Sequence, residues 1–298
     1  MTNRWRYTLG FLALVAASLW FAVFSRPKDN LSVIACDVGQ GDAILIQFQD
    51  TQILIDGGRG RKVLDCLSSY MPPWDRKIEL VVLTHPQLDH FGGLVEVVRR
   101  FDIDAFLVSG LDSEGEQYQV LKRELEQKSI KLLDPTKDTK ISIGTIYLEV
   151  LWPSKEFVEN YYLATESISS EKVLGTFTSK KDPNDFSIVV NLSYGEFDAL
   201  LTGDIGPDIM DGILATGLIG DVEYLKVPHH GSKNGLTKEL LEASTPEIAV
   251  ISVGKNPWGH PHKEVIKLLR DKGIKILRTD EVGDVEIKTD GKSWWLKD

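Results

Sequence analysis

Two imidazoles and a carboxylate fall inside the run Thr84-His85-Pro86-Gln87-Leu88-Asp89-His90-Phe91-Gly92-Gly93, directly behind the apolar stretch Leu80-Val81-Val82-Leu83. A β-branched apolar run that ends in a polar segment bearing Pro and Gly reads as a strand feeding a sharp turn before a helix. Imidazole and carboxylate are groups that zinc and manganese accept, and a strand end is rigid enough to fix their geometry. One histidine in a polar loop would be an ordinary surface residue. This spacing behind a strand points instead to a metal-binding loop.

The other histidines repeat the arrangement. His229 and His230 follow the strand-like Tyr224–Val227, and His260 and His262 follow Ile248–Val253. A carboxylate, Asp204, follows the apolar Ala199-Leu200-Leu201. Surface histidines have no reason to gather at strand ends, although His230, His260 and His262 taken singly fit a solvated turn equally well.

Short β-branched runs continue at Leu31–Cys36, Ala43–Phe48, Gln52–Ile55, Ala105–Val108, Thr145–Leu151, Ser187–Leu192 and Ile274–Leu277. Amphipathic stretches of helical period lie between several of them, at Gly93–Phe101, Glu116–Lys128 and His262–Lys272. Strands interleaved in this way predict an α/β fold with two packed sheets and helices outside. The polar segment Lys155–Asp182 breaks the pattern and reads as a mobile loop or an insertion over the site.

At the amino terminus, Tyr7–Phe24 carries no charge and is flanked by Arg4 and Arg6 before it and Arg26 and Lys28 after it. That length can just span a bilayer, and bulky residues stand where a signal-peptide cleavage site would need small ones. The expectation is a single transmembrane helix and linker over residues 1–30, with one folded domain over residues 31–298 on the extracytoplasmic side. Cys36 and Cys66 allow a disulfide, two buried thiols or neither; both read as core residues.

At this point the chain resembles the metallo-β-lactamase superfamily, and within it the hydrolase domain of ComEC-like competence proteins. The likeness rests on Asp37-Val-Gly-Gln-Gly-Asp42, Leu54-Ile-Asp56-Gly-Gly58, the Thr84–Gly93 run, Leu201-Thr-Gly-Asp204, Val227-Pro-His-His-Gly-Ser232 and Ile251-Ser-Val-Gly254 with Gly259-His-Pro261. No multi-span channel accompanies them. The resemblance implies an αββα sandwich holding one or two divalent ions, zinc or manganese, with magnesium as a further candidate. It implies metal ligation by His85, Asp89, His90 and Asp204, with His229 or His260 completing the second site. Asp89 would also orient the attacking water, and His230 or His260, where not a ligand, would protonate the leaving oxygen. The Gly231–Asn234 turn, with Ser232 and Lys233, and Asn184 are candidates for substrate binding, while Asp37 and Asp42 either orient ligands or only shape their turn.

Two departures stand out. Gln87 replaces the usual second histidine of the loop, and the Asn184–Ser187 segment stands where the superfamily has a histidine from a middle strand. Losing imidazoles while keeping carboxylates moves preference from zinc towards manganese or magnesium and weakens the first site.

The implied activity is metal-dependent hydrolysis, of a nucleic-acid phosphodiester in the first instance, with an envelope phosphoester or a catalytically degenerate binding module as alternatives. A net charge of −10 opposes sequence-blind wrapping of DNA, since that affinity comes from Lys and Arg neutralising phosphates. The expected partners are therefore a phosphodiester substrate and, through the amino-terminal helix, a membrane. No protein partner is implied.

Overall fold

The computed structural model describes residues 4–24, 30–136, 139–161, 163–164 and 174–297. Strands run as near-continuous apolar segments because each sheet is covered on both faces. Successive residues of a strand therefore enter different cores. Val33, Ile46, Ile53 and Val82 face the layer between the sheets, whereas Ile34, Leu45, Leu54 and Val81 face the outer helices. The second sheet divides likewise, with Val190, Ala199, Tyr224 and Val250 inward and Val189, Leu200, Leu225 and Ala249 outward.

The first sheet has eight strands and the second seven. The helices Lys62–Tyr70, Leu94–Arg100 and Glu116–Gln127 cover the outer face of the first. Those at Met210–Leu214, Lys238–Ser244 and Lys263–Asp271 cover the second. This is the expected αββα sandwich. The strands not expected are Lys131–Leu133, Lys140–Ile143 and Trp294–Leu296 at sheet edges, and Val285–Thr289, which pairs antiparallel with both Leu31–Ala35 and Trp294–Leu296 in the first sheet.

The site-bearing strands run parallel within each sheet. Thr51–Ile55 pairs with Lys77–Leu83 in one sheet, and Phe197–Leu201, Tyr224–Lys226 and Ile248–Ile251 pair in the other. Their carboxyl ends thus open onto one edge of the sandwich, which gathers loops distant in sequence.

Three expectations change. Of the two readings of Lys155–Asp182, a mobile loop or an insertion, the segment carries elements of its own: Lys155–Tyr161 is helical and Leu163–Ala164 pairs with Phe177–Thr178, while residues 162 and 165–173 lie outside the described residues. Cys36 and Cys66 are buried and are also joined in a disulfide. The amino-terminal stretch does form a helix, Arg4–Phe24. Among the described residues, however, no helix is long and apolar enough to cross a membrane, so the transmembrane helix is not supported.

Candidate metal centre

Strand ends position each side chain. The Lys77–Leu83 strand delivers Thr84 and His85, and the short helix Leu88–Phe91 that follows turns Asp89 and His90 back towards the sheet edge. Phe197–Leu201 delivers Asp204 through Gly203, whose φ of +54° suits glycine; a Cβ there would stand 2.9 Å from the Cβ of Ser187. Tyr224–Lys226 leads to Pro228-His229-His230, where both histidines adopt left-handed backbone, φ 51° and 53°. Two consecutive non-glycine residues in that region cost about 1–2 kcal/mol each, so the surrounding structure must enforce the turn. The turn swings the His230 ring inward.

The buried rings of His85, His90 and His230 converge, with centroids 4.1 Å apart for His85 and His90 and 5.4 Å for His90 and His230. Each outer nitrogen is fixed. The Nδ1 of His90 lies 2.8 Å from Asp56 Oδ2, and Asp56 also accepts from the Thr84 amide and hydroxyl. The Nδ1 of His230 donates to the Ser252 carbonyl at 2.8 Å, which sets its tautomer. The Nδ1 of His85 meets the hydroxyls of Thr84 and Ser187 at 3.1 and 3.3 Å.

The inner nitrogens are the telling feature. The Nε2 atoms of all three rings are buried and make no hydrogen bond. Two of them nevertheless lie 3.2 Å from Asp204 Oδ2, and that of His230 lies 3.6 Å from Asp89 Oδ2. Unpaired buried nitrogens cost free energy unless something binds them. His85, His90 and Asp204 form one group of converging ligand atoms, and Asp89, His90 and His230 form another. Imidazole nitrogens and carboxylate oxygens in this arrangement fit a divalent ion, with Asp56 holding His90 from behind.

Electrostatics follow from burial and neighbours. Burial first, and then the His90 ring beside it, hold His85 down at about 3. Burial opposes the charged forms of His90 and His230 too, but the Asp204, Asp56 and Asp42 carboxylates outweigh it and raise both. The same pairing, with Lys226, outweighs burial at Asp204 and leaves that carboxyl well below its usual range.

A cleft of about 760 Å³ opens over the group, lined among others by Asp89, Asp204, His229, His230, Ser232, Lys233, Asn184 and His260. Every expected substrate-binding residue is therefore present. Ser232 accepts from the Asn234 amide at 3.2 Å, and Asn184 keeps a buried, unpaired Oδ1. His260 is drawn down to about 4, first by burial and then by the His229, His230 and His262 rings, and is neutral at pH 7. The expected ligand His229 is in none of the converging groups; its ring stands along the cleft, 5.6 Å from that of His260. His230, expected to move protons, takes the inner position instead. Asp42 stands 3.4 Å from His230 Nδ1 and pairs with Lys226, whereas Asp37 accepts from the Gly39 amide in its own turn.

Sequence reasoning gave no role to four residues. Asp56 was visible within its Gly-flanked motif. Lys226 looked like an ordinary strand end, and Arg59 and Trp258 sit on the cleft rim with no sequence signal of their own.

An αββα sandwich with a His/Asp cluster at the shared strand ends defines a metal-dependent hydrolase class. The chain belongs to the metallo-beta-lactamase superfamily, whose model matches residues 36–255. Within it, the chain is similar to ComE operon protein 3 of Bacillus subtilis, 24% identical over 92% of this chain and 35% of that protein. It is also similar to Recombination protein 2 of Haemophilus influenzae, 25% identical over 96% of this chain and 32% of that protein. Competence protein ComA of Neisseria gonorrhoeae is 25% identical, over 92% and 34%. The chain spans about a third of the length of these relatives. Among solved structures, YhfI of Bacillus subtilis, a metallo-beta-lactamase fold protein, superposes with a TM-score of 0.54 at 11% identity, covering 88% of this chain and all of that one. The diiron β-hydroxylase CmlA of Streptomyces venezuelae superposes with a TM-score of 0.54 at 14% identity, over 87% of this chain and 54% of that one. Membership of the superfamily, with the converging His and Asp groups, implies divalent metal.

Proposed function

We propose that this protein is a metal-dependent phosphodiesterase acting on nucleic acid. The observation that carries the reading is the convergence of three buried Nε2 atoms with Asp89 and Asp204 at the floor of an open cleft. A divalent ion held there supplies Lewis-acid polarisation of a phosphoryl group and activation of water. The chain's own residues do the rest. His85, His90, His230, Asp89 and Asp204 hold the ion, zinc, manganese or magnesium, and Asp89, the most exposed of the carboxylates, orients water. Lys233, Arg59 and the Asn184 amide face the phosphate. His260, neutral at pH 7, accepts a proton.

Support for nucleic acid comes from the rim. Trp258 is 56% exposed beside Arg59 and Lys233, so an aromatic face for a base and two cations for flanking phosphates surround the site. The relatives' names point to competence and recombination as well. The buried Cys36–Cys66 disulfide supports placement in an oxidising compartment outside the cytoplasm. The uncovered Trp5, Tyr7, Phe11 and Leu14 of the amino-terminal helix support attachment to a membrane. That placement also suits a second reading, hydrolysis of an envelope phosphoester.

One screen separates them. Metal-stripped protein is given manganese, magnesium or zinc, then labelled single- and double-stranded DNA and bis-p-nitrophenyl phosphate. Cleavage of DNA is expected. Cleavage of the small diester alone would reject the nuclease reading, and absence of metal binding in calorimetry would reject hydrolysis altogether.

A further inference from the structure

Although the chain carries a net charge of −10, the exposed Arg59, Arg61, Arg76, Arg99 and Arg100 gather about two outer helices, Lys62–Tyr70 and Leu94–Arg100. A groove of about 380 Å³ opens there, with Leu64, Met71 and Phe101 in its floor and Arg61, Arg76 and Arg100 at its rim.

These cations are only partly neutralised. Glu96 is shared by Arg61, Arg99 and Arg100, at 4.0, 3.1 and 3.0 Å, and only Arg99 reaches a second carboxylate, Glu124. Among the described residues Arg59 and Arg76 form no ion pair; the Arg76 guanidinium lies 5.6 Å over the Phe101 ring. A guanidinium stacked on a ring keeps its N–H edge for phosphate. Of the two carboxylates at the groove, Asp75 already accepts from Gln52 Nε2 and the Lys77 amide, which leaves Asp65 facing three guanidinium groups.

The groove is also fixed relative to the metal centre. The Gly57 amide donates to the His90 carbonyl at 2.7 Å, and the Gly93 amide to the Gly58 carbonyl at 2.9 Å. A Cβ on Gly93 would stand 2.1 Å from the Gly57 oxygen, so the loop and the helix behind Gly93 are in close contact. On that loop Arg59 lines the cleft, and Arg61, two residues on, lines the groove. The cations therefore step from one opening to the other.

Trp74, 64% exposed, stands between the groove residues Pro73 and Asp75. Cations that track a backbone beside exposed aromatic faces suit unpaired bases, whose faces are open to stacking, better than a duplex.

We infer that this groove binds the flanking backbone of a single-stranded nucleic acid whose scissile phosphate lies in the cleft, with Arg61, Arg76 and Arg100 on phosphates and Trp74 against a base. The inference rests on the nucleic-acid reading of the site and extends it to the strand beyond the metal centre.

The test is length dependence on the full chain loaded with Mn²⁺. The KM for cleavage of oligothymidylates from about 4 to about 16 nucleotides should fall with length by roughly tenfold or more. Arg61→Gln combined with Arg76→Gln should erase most of that gain and reduce the logarithmic salt slope by about 0.7 per cation removed, with turnover of bis-p-nitrophenyl phosphate unchanged. Trp74→Ala should raise KM roughly tenfold for the longest oligomer alone. Equal KM for short and long oligomers in the unaltered protein would overturn the inference without needing any variant to fold, and would leave the nuclease reading intact. A folded double variant with undiminished length dependence would overturn the assignment to this groove, and a lower KM for duplex than for single strand of the same length would overturn the strand type. Turnover of the small diester with no cleavage of any oligomer would sink the nuclease reading and this inference together.

Discussion

Asp56 Oδ2 stands 2.8 Å from the Nδ1 of His90 and so aims the opposite nitrogen of that ring at Asp204. Asp56 follows the Thr51–Ile55 strand, His90 lies on the short helix behind the parallel neighbour Lys77–Leu83, and both are buried. The contact sets both tautomer and ring direction before any ion arrives.

Removing that orientation should weaken metal binding without touching a ligand. Asp56→Asn keeps the shape but loses the charge, and Mn²⁺ affinity measured by calorimetry should fall by roughly 10–100-fold. Unchanged affinity would show that His90 is held by packing alone.

His229 and His230 should behave differently despite adjacency. His230→Ala removes an inner nitrogen and should abolish metal retention after desalting, whereas His229→Ala should bind metal like the parent protein. Equal loss in both variants would contradict the inward placement of His230 alone.

His260 is neutral over most of the accessible range because burial and three neighbouring imidazoles hold it at about 4. A base of that pKa works above it and fails as pH falls through it. The acid limb of kcat/KM should therefore lie near 4, not near the ordinary histidine value of about 6.5. His260→Ala should lower kcat by roughly 10²–10⁴-fold at pH 7 while metal stoichiometry is retained. A limb near 6.5, or an unaltered kcat, would remove His260 from proton transfer.

Trp258 should matter only for substrates that have bases. Trp258→Ala should raise KM for an oligonucleotide by roughly tenfold, the loss of one stacked base, and leave bis-p-nitrophenyl phosphate turnover unchanged. Parallel loss on both substrates would mean that the substitution disturbs the site itself.

The Cys36–Cys66 bond closes a loop of sequence separation 30 and constrains the unfolded chain. Its reduction should cost about 3–4 kcal/mol, read as a lower melting temperature in the presence of a phosphine reductant. Thiols that alkylate freely in protein unfolded without reductant would show that the pair is not oxidised.

Local sequence determined the sandwich and the neighbourhood of its site, because both are written in short-range patterns. Doubly buried strands must be apolar on both faces, so Leu80–Leu83, Ala199–Leu201 and Ile248–Ile251 declare themselves, and the His and Asp residues directly behind them share their ends. His85, Asp89, His90 and Asp204 were legible for that reason. Tertiary structure decided what depends on direction rather than position. The left-handed turn at His229 and His230 determines which ring enters the centre, a choice of backbone rotation that two identical residues cannot reveal. Lys226 reads as a strand residue until Asp42, which is 184 positions away in sequence, is folded against it. Asp56 gains its role only when parallel pairing brings its strand beside the one that leads to His90. Contacts between distant segments fix the tautomer and the charge balance of the site, and no spacing along the chain encodes them.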